Sequence, residues 1–158
     1  MTLRRTPSIH GGFKPDEVSE VIERQRKAVR KARRESKRVP QMLFVVDDLA
    51  DDKRTMGFGL IRELMLRGRH SMISTILSTQ KMRAIDHACR LQFTALAQFA
   101  VRSLKGWEVI KEEFTAAIDP KVLQAMYDLA TSDPYGFLFA ILKDGTWFRS
   151  FKSELKAS

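Results

Sequence analysis

The first eighty residues carry two clear periods of apolar and polar positions. Between Glu17 and Arg38, Val18, Val21, Ile22, the stem of Gln25, and Val29 recur at helical spacing, while Arg24, Lys27, Arg30, Lys31, Arg34 and Arg38 fill the opposite side. This predicts a helix over 16–39 with a thin apolar stripe, capped by Asp16 just after Pro15 and ended by Pro40. Pro7, Gly11, Gly12 and Pro15 make residues 1–15 an irregular start. MLFVV, residues 42–46, is a continuous apolar run rich in β-branched residues, as expected of a strand buried on both faces. A second helix follows, with Asp51 or Asp52 as cap, Phe58, Ile61, Leu64 and Met65 on one face, and Gly68 at its close. SMISTILS, residues 71–78, predicts a second strand, so strand, helix and strand form a βαβ unit with parallel strands and a right-handed crossover.

The later pattern is less regular. Met82 to Arg90 reads as helical, and FTALAQFAVRS offers a strand in its second half. WEVIKEEFTAAI and PKVLQAMYDLAT predict two helices, the second opened by Pro120 in its first turn with Asp119 as cap. YGFLFAILKDGTWFRSF predicts a hairpin of two strands about its Asp-Gly turn, and SELKAS (153–158) a frayed tail. The expected fold class is α/β.

Composition narrows the class. A chain of 158 residues fits one domain, and 44% apolar with 30% charged residues excludes disordered and fibrous classes. The net charge of +9 is local: residues 1–40 hold 12 Lys and Arg against 5 acids, and the remainder 16 against 14. Such a basic excess suits a polyanionic partner, although a solvated helix face has the same composition. Cys89 is the only cysteine, which rules out a disulfide within the chain and suits a reducing, intracellular compartment. No apolar run approaches the roughly 18 residues of a membrane span, and MTLRRTPSIH lacks the apolar core of a signal peptide.

The candidate chemistry lies in LFVVDD, where the buried run ends in two carboxylates, Asp47 and Asp48. Ligands of open parallel sheets sit beyond the carboxyl ends of the strands. A carboxylate there can hold Mg²⁺, a hard ion that takes oxygen ligands and keeps several waters, and its neighbour can orient or deprotonate a water. Successive strand side chains point to opposite faces, so both carboxylates serve one phosphate only if the strand bends as it ends. The plainer alternative is that Asp48, Asp51 and Asp52 cap a turn and the next helix.

In this order, LFVVDD, LRGRHSMISTILSTQ and MYDLATSDPYGFLFA resemble the later part of a P-loop ATPase of the HerA and FtsK kind. Within that kind, the chain resembles the poxvirus-type genome-packaging ATPases of large DNA viruses, from about Phe13 to about Phe151. The resemblance implies a parallel P-loop sheet flanked by helices, ending in the hairpin, with ATP and Mg²⁺ as cofactors. It makes 1–158 one partial domain, with 41–152 running from the Walker B strand to the hairpin. By the same resemblance Asp47 is the Mg²⁺ carboxylate, Asp48 activates the attacking water, and Gln80 with Thr79 senses the γ-phosphate. The arginine that such motors supply across a subunit boundary would be Arg67, Arg69 or Arg90, with Arg90 preferred. The implied partners are double-stranded DNA, further copies of the chain in a ring, and capsid proteins, with no membrane, in a cytoplasmic viral factory or the virion.

Met65, Phe93, Phe99 and Phe137 are most simply core, His70 is most simply a hydrogen-bonded packing residue near a strand start, and His87 with Cys89 lacks a second ligand pair at zinc-finger spacing. The sequence contains no G-x-x-x-x-G-K-[ST], the loop that cradles the β and γ phosphates. The resemblance implies that this loop lies upstream and that the chain is an N-terminally truncated fold with one sheet edge uncovered. Two alternatives remain open at this point: a non-catalytic nucleic-acid-binding module built on the basic helix, and a decayed remnant of a viral ATPase.

Overall fold

A computed structural model describes residues 14–47, 58–101, 104–114 and 118–156. The chain divides into two compact units, Met1–Gln80 and Lys81–Ser158.

In the first unit, α1 (Pro15–Arg34) begins with its proline at the first helical position, where no N–H is needed, and Lys14 stands at the cap. Asp16 is thus not the cap: with Glu17 it lies inside the first turn, where a carboxylate meets the positive end of the helix dipole. The helix also stops well before Pro40. Ser36 adopts a left-handed backbone (φ 50), and the Lys37 N–H closes on the Ala32 carbonyl at 2.9 Å, a capping geometry that ends the helix by itself.

Strand β1 (Met42–Val46), helix α2 (Phe58–Arg67), a 3₁₀ turn over Gly68–Ser71 and strand β2 (Ile73–Leu77) complete the unit. β1 and β2 pair in parallel, with Met42 opposite Ile73 and Val46 opposite Leu77, as the βαβ pattern predicts. Val18 and Ile22 of α1, Leu64 of α2 and Ile73 of β2 form the buried cluster, with Met42, Phe44 and Leu60 against it. Both helices cover the same face. The expectation of strands buried on both faces fails, because Leu43 (59% exposed), Val45 (57%) and Ile76 (52%) lie bare on the other.

The second unit opens with a 3₁₀ turn over Met82–Ala84 and a one-turn helix α3 (His87–Arg90). The single helix expected over 82–90 is broken where Ile85 turns extended and Asp86 starts a new cap by accepting from the Ala88 N–H at 2.9 Å. Strands β3 (Ala95–Phe99), β4 (Phe137–Ile141), β5 (Thr146–Arg149) and β6 (Ser153–Leu155) form an antiparallel sheet in that order. The expected single parallel sheet is therefore corrected: among the described residues only β1 and β2 are parallel. β3 lies earlier than expected and pairs with β4, Ala95 opposite Ile141 and Phe99 opposite Phe137. The link from β2 to β3 carries no long helix in its described part, and such a helix is the usual crossover between parallel strands. The expected frayed tail also changes, since Ser153–Leu155 pairs with β5 and sets Leu155 against the core.

Helices α4 (Leu104–Phe114) and α5 (Pro120–Ala130) supply the other half of that core. As expected, Asp119 caps α5, its carboxylate accepting from the N–H groups of Lys121 (2.8 Å) and Val122 (3.3 Å). Trp107, Ile110, Leu123, Met126, Tyr127 and Ala130 meet Leu138, Ala140 and Trp147 from the sheet. Trp107 stacks on Tyr127 with ring centroids 3.8 Å apart. The indole N–H of Trp107 donates to Gln124 Oε1 at 2.6 Å, and the Tyr127 hydroxyl accepts from the Val101 N–H at 2.8 Å. Two glycines are required here. A Cβ on Gly136 would sit 2.5 Å from the Ala130 carbonyl oxygen, and Gly145 holds φ +65 in the predicted hairpin turn. Phe99, 51% exposed, is not a core residue. It faces outward with Phe137, Phe139 and Phe151 in a chain of ring contacts at 4.8–4.9 Å. Among the described residues no helix is long and apolar enough to cross a membrane.

Candidate functional site

The parallel register decides which polar residues share an edge. Val46 is opposite Leu77, and the Ser78 N–H donates to the Val46 carbonyl at 2.8 Å, extending the ladder one step beyond the strands. Asp47 therefore leaves β1 beside Ser78, and Thr79 and Gln80 follow at the same carboxyl edge. Asp47 and Gln80 are exposed and Thr79 is half-buried. These three of the expected site residues are brought to one end of one sheet. Asp48, the expected water-activating carboxylate, lies outside the described residues, as do Asp51 and Asp52.

Arg90 belongs to the second unit. One of its guanidinium nitrogens donates to the Ile85 carbonyl at 2.6 Å and another lies 3.4 Å from His87 Nδ1, so part of this side chain holds its own turn together. Arg67 ends α2 and Arg69 lies in the 3₁₀ turn, both exposed. His70 is exposed in the same turn rather than packed. Cys89 is buried and His87 exposed. Among the described residues no three His, Cys, Asp or Glu side chains converge as a metal-ligand group.

Two polar residues of α1 hold the site's scaffold, and neither role was legible as such. Gln25, 6% exposed, donates from its amide to the Pro40 carbonyl at 2.9 Å and the Ser71 carbonyl at 3.2 Å, tying the helix to the segments that lead into β1 and β2. A polar residue within an apolar stripe was the only sequence signal. Arg26 forms ion pairs with Glu63 of α2 and with Glu23, which hold its guanidinium protonated more firmly than usual. The Glu23 carboxyl lies below its ordinary range, chiefly through the hydrogen bond from Arg26, with Arg30 and Lys27 adding longer-range attraction.

A βαβ unit with an acid and a polar pair at the carboxyl edge of its strands is an α/β protein with its ligand edge in the usual place for such sheets. The family model described as poxvirus A32 protein matches residues 15–143, from the first residue of α1 to the turn between β4 and β5. The chain belongs to that family, the viral genome-packaging ATPases. No curated protein and no solved structure matches it.

Proposed function

We propose that the chain forms part of an ATP-driven machine that moves double-stranded DNA into a viral capsid. The family match over residues 15–143 carries this reading. In it, residues 1–158 are one partial domain of the P-loop ATPase class, and β1 and β2 are neighbouring strands of its parallel sheet. The complete machine acts as a ring of copies with capsid proteins as partners, in a cytoplasmic viral factory or the virion.

The oxygen donors at the strand edge fit Mg²⁺. Asp47 would supply one carboxylate, and Mg²⁺ would take the rest of its shell from phosphate oxygens and waters rather than a full protein cage. When bound, Mg-ATP supplies the phosphoryl group and neutralises charge developing on it. Asp47 is assigned to hold the ion, and Asp48 to orient and deprotonate the attacking water. Gln80, with Thr79 beside it, can contact a phosphate oxygen and a water through one neutral amide. Arg90 is assigned to stabilise the transferred group across a subunit boundary.

The sequence of 158 residues holds no phosphate loop, so purified chain alone is expected to turn over no Mg-ATP. Stoichiometric turnover abolished by Asp47→Ala would overturn that expectation. In a protein that also carries the loop, Asp48→Asn should retain nucleotide binding and lose hydrolysis; loss of binding instead would make Asp48 structural.

A further inference from the structure

We propose that the outer face of α1 is a contact surface for the phosphate backbone of duplex DNA. The inference rests on the packaging reading for its partner but on α1 itself for its location.

At about 100° per residue, Lys27, Arg30, Lys31 and Arg34 fall within an arc of roughly 100°. That arc stands opposite the stripe of Val18, Ile22, Gln25 and Val29, all buried. With Glu35 the four cations line one groove on the helix surface. Acids do not neutralise it evenly. Asp16, Glu17, Glu20 and Glu23 all lie in the N-terminal half of the helix, where Lys14, Arg24 and Arg26 pair with Glu17, Glu20 and Glu23. Near the C-terminus, Glu35 sits 2.7 Å from Lys37 and only 3.9 Å from Lys31. Among the described residues no acid forms an ion pair with Lys27, Arg30 or Arg34, although Glu23, one turn earlier, attracts Arg30 and Lys27 at longer range.

A helix dipole favours cations near its C-terminus, and that is the modest explanation of such a face. It does not account for four of them as mutual neighbours. Lys27 with Arg30, Lys27 with Lys31, Arg30 with Arg34 and Lys31 with Arg34 are like charges three or four residues apart, each of which weakens a helix. A polyanion relieves that repulsion. From Lys27 to Arg34 the row extends about 10 Å at 1.5 Å per residue, beside a duplex that carries one charge per roughly 1.7 Å of axis. A lipid surface fits less well. A helix lying in a membrane needs a free apolar face, whereas Val18, Ile22 and Val29 are each 3% exposed or less.

The test is fluorescence anisotropy of a labelled random-sequence DNA duplex titrated with the full chain, without nucleotide, at about 50 to 200 mM salt. The four-fold variant Lys27→Gln, Arg30→Gln, Lys31→Gln, Arg34→Gln should lower the slope of log affinity on log salt by about 0.9 for each phosphate no longer neutralised, up to roughly 3.6. Glutamine has nearly the same helix propensity as the residues replaced, so far-UV ellipticity should persist. Lys27→Arg with Lys31→Arg should retain the wild-type slope, and Lys121→Gln with Lys143→Gln, in the second unit, should leave binding unchanged.

An unchanged slope in the four-fold variant, an equal loss in the second-unit variant, or no binding by the wild-type chain overturns the inference. So does tighter binding to phosphatidylserine vesicles than to the duplex, dependent on the same four residues. Because no nucleotide is present, these outcomes concern α1 alone. The packaging reading is tested separately: absence of Mg-ATP hydrolysis in a protein that also carries the phosphate loop would overturn it without touching the result for α1.

Discussion

Each unit covers a sheet with a pair of helices, and the two differ in what lies on the uncovered face. In the second unit α4 and α5 close a core of Trp107, Leu123 and Ala130 against Leu138, Ala140 and Trp147. Its outer face carries phenylalanines that contact one another, Phe137 and Phe139 each within 5 Å of Phe151. In the first unit α1 and α2 bury a smaller cluster around Ile73, and Leu43, Val45 and Ile76 stand exposed behind it. An antiparallel sheet can leave one face in water; parallel strands are normally covered on both. The second unit thus follows the rule for its sheet and the first departs from it. In the first unit, burial and polar ties from α1 share the task of holding the strands.

The largest test of this contrast is Leu123→Ala. Leu123 is fully buried, and its truncation should cost about 2–5 kcal/mol by removing apolar packing and leaving a cavity. Both tryptophans, Trp107 and Trp147, lie in the second unit, so the shift should appear in a urea transition followed by tryptophan fluorescence. A loss below about 1 kcal/mol would mean that this core is looser than its burial indicates.

Gln25→Ala should come next, at about 1–3 kcal/mol, because the Pro40 and Ser71 carbonyls lose their donor. Hydrogen exchange should place the effect in β1 and β2; a neutral result would assign the first unit's cohesion to burial alone. Val45→Thr should stay within about 0.5 kcal/mol if its face meets water. A larger loss would show that the exposed row is covered in solution.

The smallest effect concerns Glu23. Its pKa is depressed in the folded chain, so its contribution is present above the ordinary glutamate range and lost as pH falls through the folded value. Urea transitions of wild type and Glu23→Gln should therefore converge toward low pH. A difference that grows on acidification would reverse the sign of that coupling.

Local chemistry made much of the first unit legible. The spacing of Val18, Ile22 and Val29 marks α1, the MLFVV and ISTIL runs mark the strands, and the helix between them forces a parallel pair. Asp119 before Pro120 announced α5, and Asp144-Gly145 the hairpin. The βαβ reading set Asp47 at a strand end, and the family resemblance named Thr79 and Gln80.

Elsewhere the sequence was silent, because the deciding contacts are distant in the chain. Nothing near Ala95 states that its strand pairs with Ile141, about forty-six residues away, and antiparallel. No periodicity distinguishes the covered face of β1, with Phe44, from the bare one, with Val45, since both are apolar. Gln25 could not name Pro40 and Ser71 as its acceptors until the helix was laid beside both segments. By itself the sequence determined α1, α2, α4, α5 and strands β1, β2, β4 and β5, all of which depend on neighbours within a few turns. Only the tertiary structure decided strand partners, covered faces and the clamp on α1, because those energies arise from surfaces that meet only after the chain has folded.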